Sequence, residues 1–442
     1  MSGSGGAALG GSVSREVPDA RDVDLGVDAT VPERRSDREF VAMIAACMAM
    51  VGLAIDTVLP AFPQIREAFG LAPDSTAVTW IITAFFLGLA SGQLFYGPLS
   101  DRYGRKPLLY CGLVLCAVAA SASALAPTLG LVVVFRFLWG FGAAGPRSLA
   151  LAMVRDTYEG DRMARAMSFA MSIFILSPVL APSIGAALVA VTAWQAVFWF
   201  LVVCTIGVAL WATRLPETLP ASKRRPAEPG ALRRAVWVVL RTRPTMAYGL
   251  AVTCLFGSMA AYLASSEMIV DHVYHRKSQF PVIFGALAVF MGLASLTNAR
   301  LVMRFGLGRV LRVGASCLVT GTALFALLAV ATDGAPPFWA YCAAMALLLP
   351  MHTLLLPNCN TAAMGPVGRV AGTAAALLGT ASTAGGALLG SVVDSRFDGT
   401  VMPLALAFVT FGAIAAFSIL WLARPSSRVV VAPTAATAPA PA

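Results

Sequence analysis

Apolar positions along the chain gather into twelve runs with almost no charge inside them. They cover 40–59, 77–96, 108–125, 129–149, 166–189 and 194–213, then 246–265, 282–302, 311–332, 338–357, 371–393 and 403–422. Each is close to the roughly 20 residues that a helix needs to cross a hydrocarbon core about 30 Å thick. Helices are the natural element for such runs, because the backbone polar groups of a helix are satisfied within the segment. The pattern predicts an all-α membrane protein with twelve transmembrane helices in two six-helix bundles.

Composition supports this reading. Of 442 residues, 58% are apolar and only 12% charged, and the mean hydropathy is +0.78. A soluble domain carries about a quarter charged residues. The polar residues 1–39 contain no short apolar core beside a small-residue cleavage site, so the first run is expected to serve as its own insertion signal. That arm and the Ala-Pro-Thr tail, 424–442, read as disordered from composition.

Lys and Arg are excluded from one side of the membrane. Of the 32 such residues, only Arg66, Arg276, Lys277 and Arg396 fall in the loops opposite the termini, and Arg136 falls inside a span. Cytoplasmic loops retain the positive excess, which predicts that both termini are cytoplasmic. The same distribution accounts for the net charge of +10 without a nucleic-acid partner, since the cations follow the orientation rule and form no single binding face. Seven of the eight cysteines lie inside apolar runs and Cys359 stands two residues past one, which argues against a disulfide framework or a zinc ribbon.

The chain divides in the middle. Residues 214–244 are polar, with Pro216, Pro220, Pro226 and Pro229 around the basic group Lys223, Arg224, Arg225, and read as a cytoplasmic linker between bundles at 40–213 and 245–423. The halves also echo each other: RYGRKPL from Arg102 returns as RFGLGRVL from Arg304, each just after an even-numbered span. Parallel six-helix repeats with a substrate site between them near the midplane are one transporter architecture.

The sharpest local signal is GPLSDRYGRKP, Gly97 to Pro107, in the tight loop between spans two and three. Asp101 there has two sets of candidate partners. One is Arg102, Arg105 and Lys106 nearby; the other is the positive end of a helix from the other half. A contact made in one conformation and broken in another is what alternating access requires. The bland alternative is a basic loop that only fixes topology.

This loop resembles motif A of the major facilitator superfamily. Further stretches are similar to its drug:proton antiporters, particularly the bicyclomycin and chloramphenicol resistance (Bcr/CflA) branch: IDTVLPAFP from Ile55, FRFLWGFGAAG from Phe135, VRDTYEGDRMARAMS from Val154, LSPVLAPSIGAAL from Leu176 and WQAVFWF from Trp194. FGLGRVLRVG from Phe305, LPNCNTAAM from Leu356 and AGTAAALLG from Ala371 continue the likeness to about residue 422. The resemblance implies the major facilitator fold, a bacterial inner-membrane location, and a conformational switch at Gly97, Asp101, Arg102, Gly104, Arg105 and Lys106. It also implies an antiporter motif in span five at Pro178, Pro182 and Gly185, sealing the cavity on one side. There the match is partial, because Ser177-Pro178 stands where the family usually has Gly-Pro.

Asp56 is the only acid within the first span, and an intramembrane carboxylate is a functional candidate by default. At 1.5 Å per residue it lies about 24 Å from Phe40, toward the outer leaflet, and Arg136 lies about 10 Å into span four from the same side. Their depths permit a contact, and the resemblance places spans one and four on the central cavity. Desolvation favours the neutral form of a carboxylate and a nearby cation its charged form, so a moving Arg136 would load or release a proton. The alternatives are a static charge-compensated bridge, or an Asp56 that caps span one before Pro60. His352, Asn358 and Asn360, in or just past span ten, are candidates for substrate contact or for bridging helices. Glu267, Asp271, His272 and His275 read as a solvated mouth at the outer end of span seven.

The function expected from these readings is proton-coupled export of small amphipathic, drug-like compounds by a monomer. The proton gradient supplies the energy, with no cofactor, no metal and no enzymatic step. A second reading keeps the fold and changes the cargo to one metabolite or self-made natural product, exported or imported. The sequence contains no Walker A loop, His-Glu-x-x-His or Cys-x-x-Cys.

Overall fold

Among the described residues of a computed structural model of the chain, twelve helices are long and apolar enough to cross a membrane. The structure describes residues 35–224 and 230–423, and among these there is no strand. The expected arm and tail, and part of the linker, thus fall outside the described residues. From Phe40 onward the chain forms one compact unit.

The first bundle contains α1 (Arg35–Asp56), α2 (Phe62–Ala68), α3 (Trp80–Tyr103), α4 (Arg105–Ala124), α5 (Leu129–Thr157), α6 (Gly160–Val191) and α7 (Gln195–Trp211). A short helix α8 (Ala231–Arg241) follows. The second bundle contains α9 (Arg243–Met268), α10 (Phe280–Phe305), α11 (Leu307–Ala331), α12 (Phe338–Met364), α13 (Ala371–Asp394) and α14 (Met402–Phe417). The first span is broken: α1 ends at Asp56, a 3-10 turn covers Leu59–Ala61, and α2 restarts behind Pro60 and Pro63. Proline at the start of a helical turn has no N–H to lose there, so the chain continues in the same span.

Small residues set the tightest crossings. A Cβ on Gly88 would stand 1.9 Å from the carbonyl oxygen of Phe137, and one on Gly140 would stand 2.0 Å from that of Phe85, so α3 and α5 touch backbone to backbone. Lipid offers no hydrophobic drive for helix association, and close backbone approach supplies the packing instead. Two seams join the bundles, α3 against α13 and α6 against α10.

The repeat seen in sequence has a backbone counterpart. α3 ends at Gly104 with φ +102° and α10 ends at Gly306 with φ +79°, and the next span starts one residue later in both cases. Only glycine takes such angles without strain, which explains why a glycine survives in both degenerate copies.

The helices overrun the apolar runs. The first span continues to Ala68, α5 to Thr157 and α12 to Met364, because an apolar run measures bilayer thickness and a helix can extend into water. The described part of the linker carries structure of its own. Leu215 and Leu219 are buried, and α8 buries Ala235 and places Val239 in a small cluster with Ala363, Val367, Ala374 and Leu378.

Candidate transport site and gates

Asp56 sits at the break in the first span and is 4% exposed. Just beyond it, the Thr57 hydroxyl turns back to donate to Leu53 O at 2.6 Å. Arg136 is fully buried at the matching depth but does not pair with Asp56. Its Nη1 donates to Ala54 O at 2.9 Å and its Nε to Ile81 O at 3.2 Å, while the guanidinium lies 4.6 Å from the Phe85 ring and 4.9 Å from Trp139. The expected direct contact is therefore absent: the break in α1 exposes a carbonyl that takes the donor instead. The remaining Nη2 has no hydrogen-bond partner. Among the described residues no cation pairs with Asp56, and Tyr262 of the second bundle lies within electrostatic range of it.

The proline-rich span packs against this same break. A Cβ on Gly185 would stand 2.1 Å from Thr57 O and 3.3 Å from Pro60 Cδ, so only glycine lets α6 reach the turn after Asp56. Ser177 is buried with its hydroxyl 3.5 Å from Ala49 O. Pro178 and Pro182 lie inside α6, and Val179 O faces Gly285 of α10 across the bundle seam. The segment thus touches both α1 and the other half, which is where a cavity-sealing helix must lie.

At the opposite end, Gly104 lets α4 start directly after α3. Asp101 accepts from Arg105 Nη1 at 2.7 Å, and Arg105 Nε donates to Asp156 of α5 at 2.9 Å. Of the two partner sets considered for Asp101, this conformation uses the one in its own bundle. Gly97 opens on empty space, and Arg102 is exposed with its guanidinium 5.2 Å from the Tyr103 ring. Lys106 Nζ caps carbonyls after α7, donating to Thr213 O at 3.0 Å and Leu215 O at 2.6 Å. The Glu217 carboxylate accepts from the backbone N–H groups of Arg105 and Lys106 at 2.9 and 3.2 Å, a carboxylate cap on the start of α4. Sequence reasoning missed Glu217. Its signal was one of only two acids in an otherwise basic segment.

The candidates on α12 do not converge. His352 is buried, its Nδ1 2.8 Å from Leu348 O and its ring 5.2 Å from Phe408 of α14, inside the second bundle. Asn358 forms a reciprocal amide pair with Asn298 of α10, donating at 2.8 Å and accepting at 3.4 Å. Asn360 is exposed. His352 and Asn360, both on α12, lie in different surroundings, one buried and the other exposed. Asn358 bridges helices, one of the two roles expected for it.

A buried ion pair between the halves was also missed. Arg66 on α2 forms a two-pronged pair with Glu267 on α9, at 2.9 and 3.3 Å, with both side chains 3% exposed. Glu267 is thus not the solvated group expected at the mouth: Arg66 arrives from the other bundle, pairs with it and leaves it 3% exposed at the edge of the cavity there. His275 and Lys277 remain exposed there. Arg66 Nε donates to Ser75 O at 3.0 Å, and Thr79, at the entry to α3, hydrogen-bonds to Asp394, the last residue of α13. The available signal was Arg66 itself, one of the few cations against the orientation rule. Beside Glu267, a cavity of about 300 Å³ opens between Pro60, Pro63 and Val189 on one side and Lys277 and Pro281 on the other.

Two bundles with a buried unpaired carboxylate between them, joined by a buried ion pair at one end and carrying a loop whose charges pair within their own half at the other, are those of a multi-pass membrane transporter. Residues 44–390 match the family model of the Major Facilitator Superfamily, and the chain belongs to that family. Among relatives, it is 28% identical over 390 residues to the bicyclomycin resistance protein homolog of Haemophilus influenzae, covering 88% of this chain and 96% of the relative. It is 26% identical over 352 residues to the chloramphenicol resistance protein of Pseudomonas aeruginosa, covering 78% and 80%. Among solved structures, the xylose transporter XylE from E. coli in a partially occluded inward-open conformation superposes with a TM-score of 0.67 at 14% identity, covering 88% of this chain and all of that one.

Proposed function

We infer that this chain exports small amphipathic, drug-like compounds across a bacterial inner membrane in exchange for protons, with both termini and the Asp101 loop in the cytoplasm. The observation that carries the coupling is Asp56: a carboxylate nearly out of solvent, unpaired among the described residues, at a helix break touched by α5 and α6 and within electrostatic range of α9. A buried charge without a partner is costly, so occupancy by a proton or by a cationic or polar substrate group is the means of relieving it. The resistance names of the relatives over most of their length support drug-like cargo.

In this reading the structure is a state closed at its outer end. Arg66 and Glu267 close the outer end, Arg136 holds the backbone that carries Asp56, and Gly185 seals α6 on that same turn. Uptake of chloramphenicol-like, cationic and zwitterionic compounds into inverted vesicles tests the cargo and its energy source. Accumulation that stops when the proton gradient is collapsed is the expected result. Accumulation that persists without the gradient means a facilitator, and uptake of a single metabolite alone means the specific-exporter reading.

A further inference from the structure

The closed outer end buries one cation and two carboxylates. Arg66 gives its fork to Glu267 and its Nε to Ser75 O, and both Arg66 and Glu267 lie within electrostatic range of Asp394. Asp394 is 1% exposed and its Oδ1 has no hydrogen-bond partner. The other charged and titratable groups on the packed elements do not supply the missing cation. Lys277 is 3.9 Å from Asp271, Arg276 bonds Gln279, Arg396 and Asp398 are exposed, and His272 packs its ring on Phe397. A second carboxylate left charged here would make the cluster a buried net anion.

Hydrogen counting points the same way. The Thr79 hydroxyl contacts two acceptors, Thr76 O at 2.7 Å and Asp394 Oδ2, with one hydrogen to give. If Asp394 carries a proton, both contacts become hydrogen bonds: Thr79 donates to Thr76 and accepts from Asp394. We propose that Asp394 is a second proton-binding site, distinct from Asp56, whose protonation holds the outer gate shut. Loss of that proton creates a carboxylate that competes with Glu267 for Arg66 and draws it off the bridge between the bundles. The cavity beside Glu267 brings water to the cluster from the outer side.

The sign follows from the proton count. The closed gate binds one more proton than the open gate, so alkali opens it, by at most about tenfold per pH unit for one linked proton. An exchanger would thereby close its outer gate behind a proton taken from outside, but the inference does not rest on which compound is carried.

Hydrogen exchange of segments 59–79 and 388–400 in full-length protein in lipid nanodiscs, corrected for the intrinsic pH dependence of exchange, tests it from about pH 5 to about pH 8. In wild type the corrected opening is expected to rise with pH. In Asp394→Asn, a neutral isostere, it stays at the acid level throughout, while Asp56→Asn and His272→Gln keep the wild-type rise. An Asp394→Asn profile that tracks wild type overturns the proposal, as does a His272→Gln profile that is flat. Infrared spectra give an independent reading: a protonated-carboxyl band at acid pH that disappears in Asp394→Asn supports it, and no difference between the two proteins overturns it. Loss of Asp56 coupling in transport with an intact gate response would separate failure of this site from failure of the other.

Discussion

Arg136 shows how one side chain ties a span together. Its guanidinium is dry, faces two aromatic rings and reaches backbone carbonyls on α1 and α3. Lysine keeps the charge but lacks the fork and the planar face, so Arg136→Lys is expected to destabilise the protein by about 2–4 kcal/mol, read as a lowered midpoint in detergent thermal unfolding. Gly185 is constrained by space alone. An added methyl meets Thr57 O, so Gly185→Ala forces α6 off the break, with an expected loss of about 1–3 kcal/mol and of transport together. Unchanged transport in that variant would remove α6 from the sealing role. The burial of Asp56 and Arg136 was legible in the sequence because both fall inside apolar spans. Their lack of pairing was not, because a helix break that frees a carbonyl cannot be read from depth arithmetic.

At the scale of elements, the loop between α3 and α4 works as a clasp. Glu217, from beyond α7, caps the N-terminus of α4, and Lys106 returns the favour at the carbonyls after α7. Glu217→Gln keeps the shape and removes the charge. It is expected to cost about 0.5–2 kcal/mol locally and to raise hydrogen exchange across 100–110, with the rest of the chain unchanged. α8 presents Arg233, Trp237, Leu240 and Arg241 outward, with the Arg241 guanidinium 4.0 Å from the Trp237 ring. It was overlooked because eleven residues with several arginines fall below any spanning length, although the spacing of Ala235 and Val239 is helical. The twelve spans were legible because bilayer thickness dictates run length. Helix ends were not, because nothing in hydropathy marks where a helix stops once it is in water.

For the whole molecule, the account is that of two bundles rocking about a site they share. Its outer lock is the Arg66 and Glu267 pair, and breaking one member leaves the other charge buried alone, a cost of about 3–5 kcal/mol. Glu267→Gln is therefore expected to shift the population away from the closed outer end, seen as faster labelling of a cysteine placed at Pro63. The exchanged pair Arg66→Glu with Glu267→Arg should recover part of it. This lock joins positions 201 residues apart, and no local pattern in either segment names the other. The central claim, that Asp56 carries the exchanged proton, is tested most directly by proton release from inverted vesicles on addition of a transported compound, wild type against Asp56→Asn. The account predicts a substrate-dependent proton signal in wild type and none in the variant, with substrate binding retained. An equal proton signal in Asp56→Asn would contradict it.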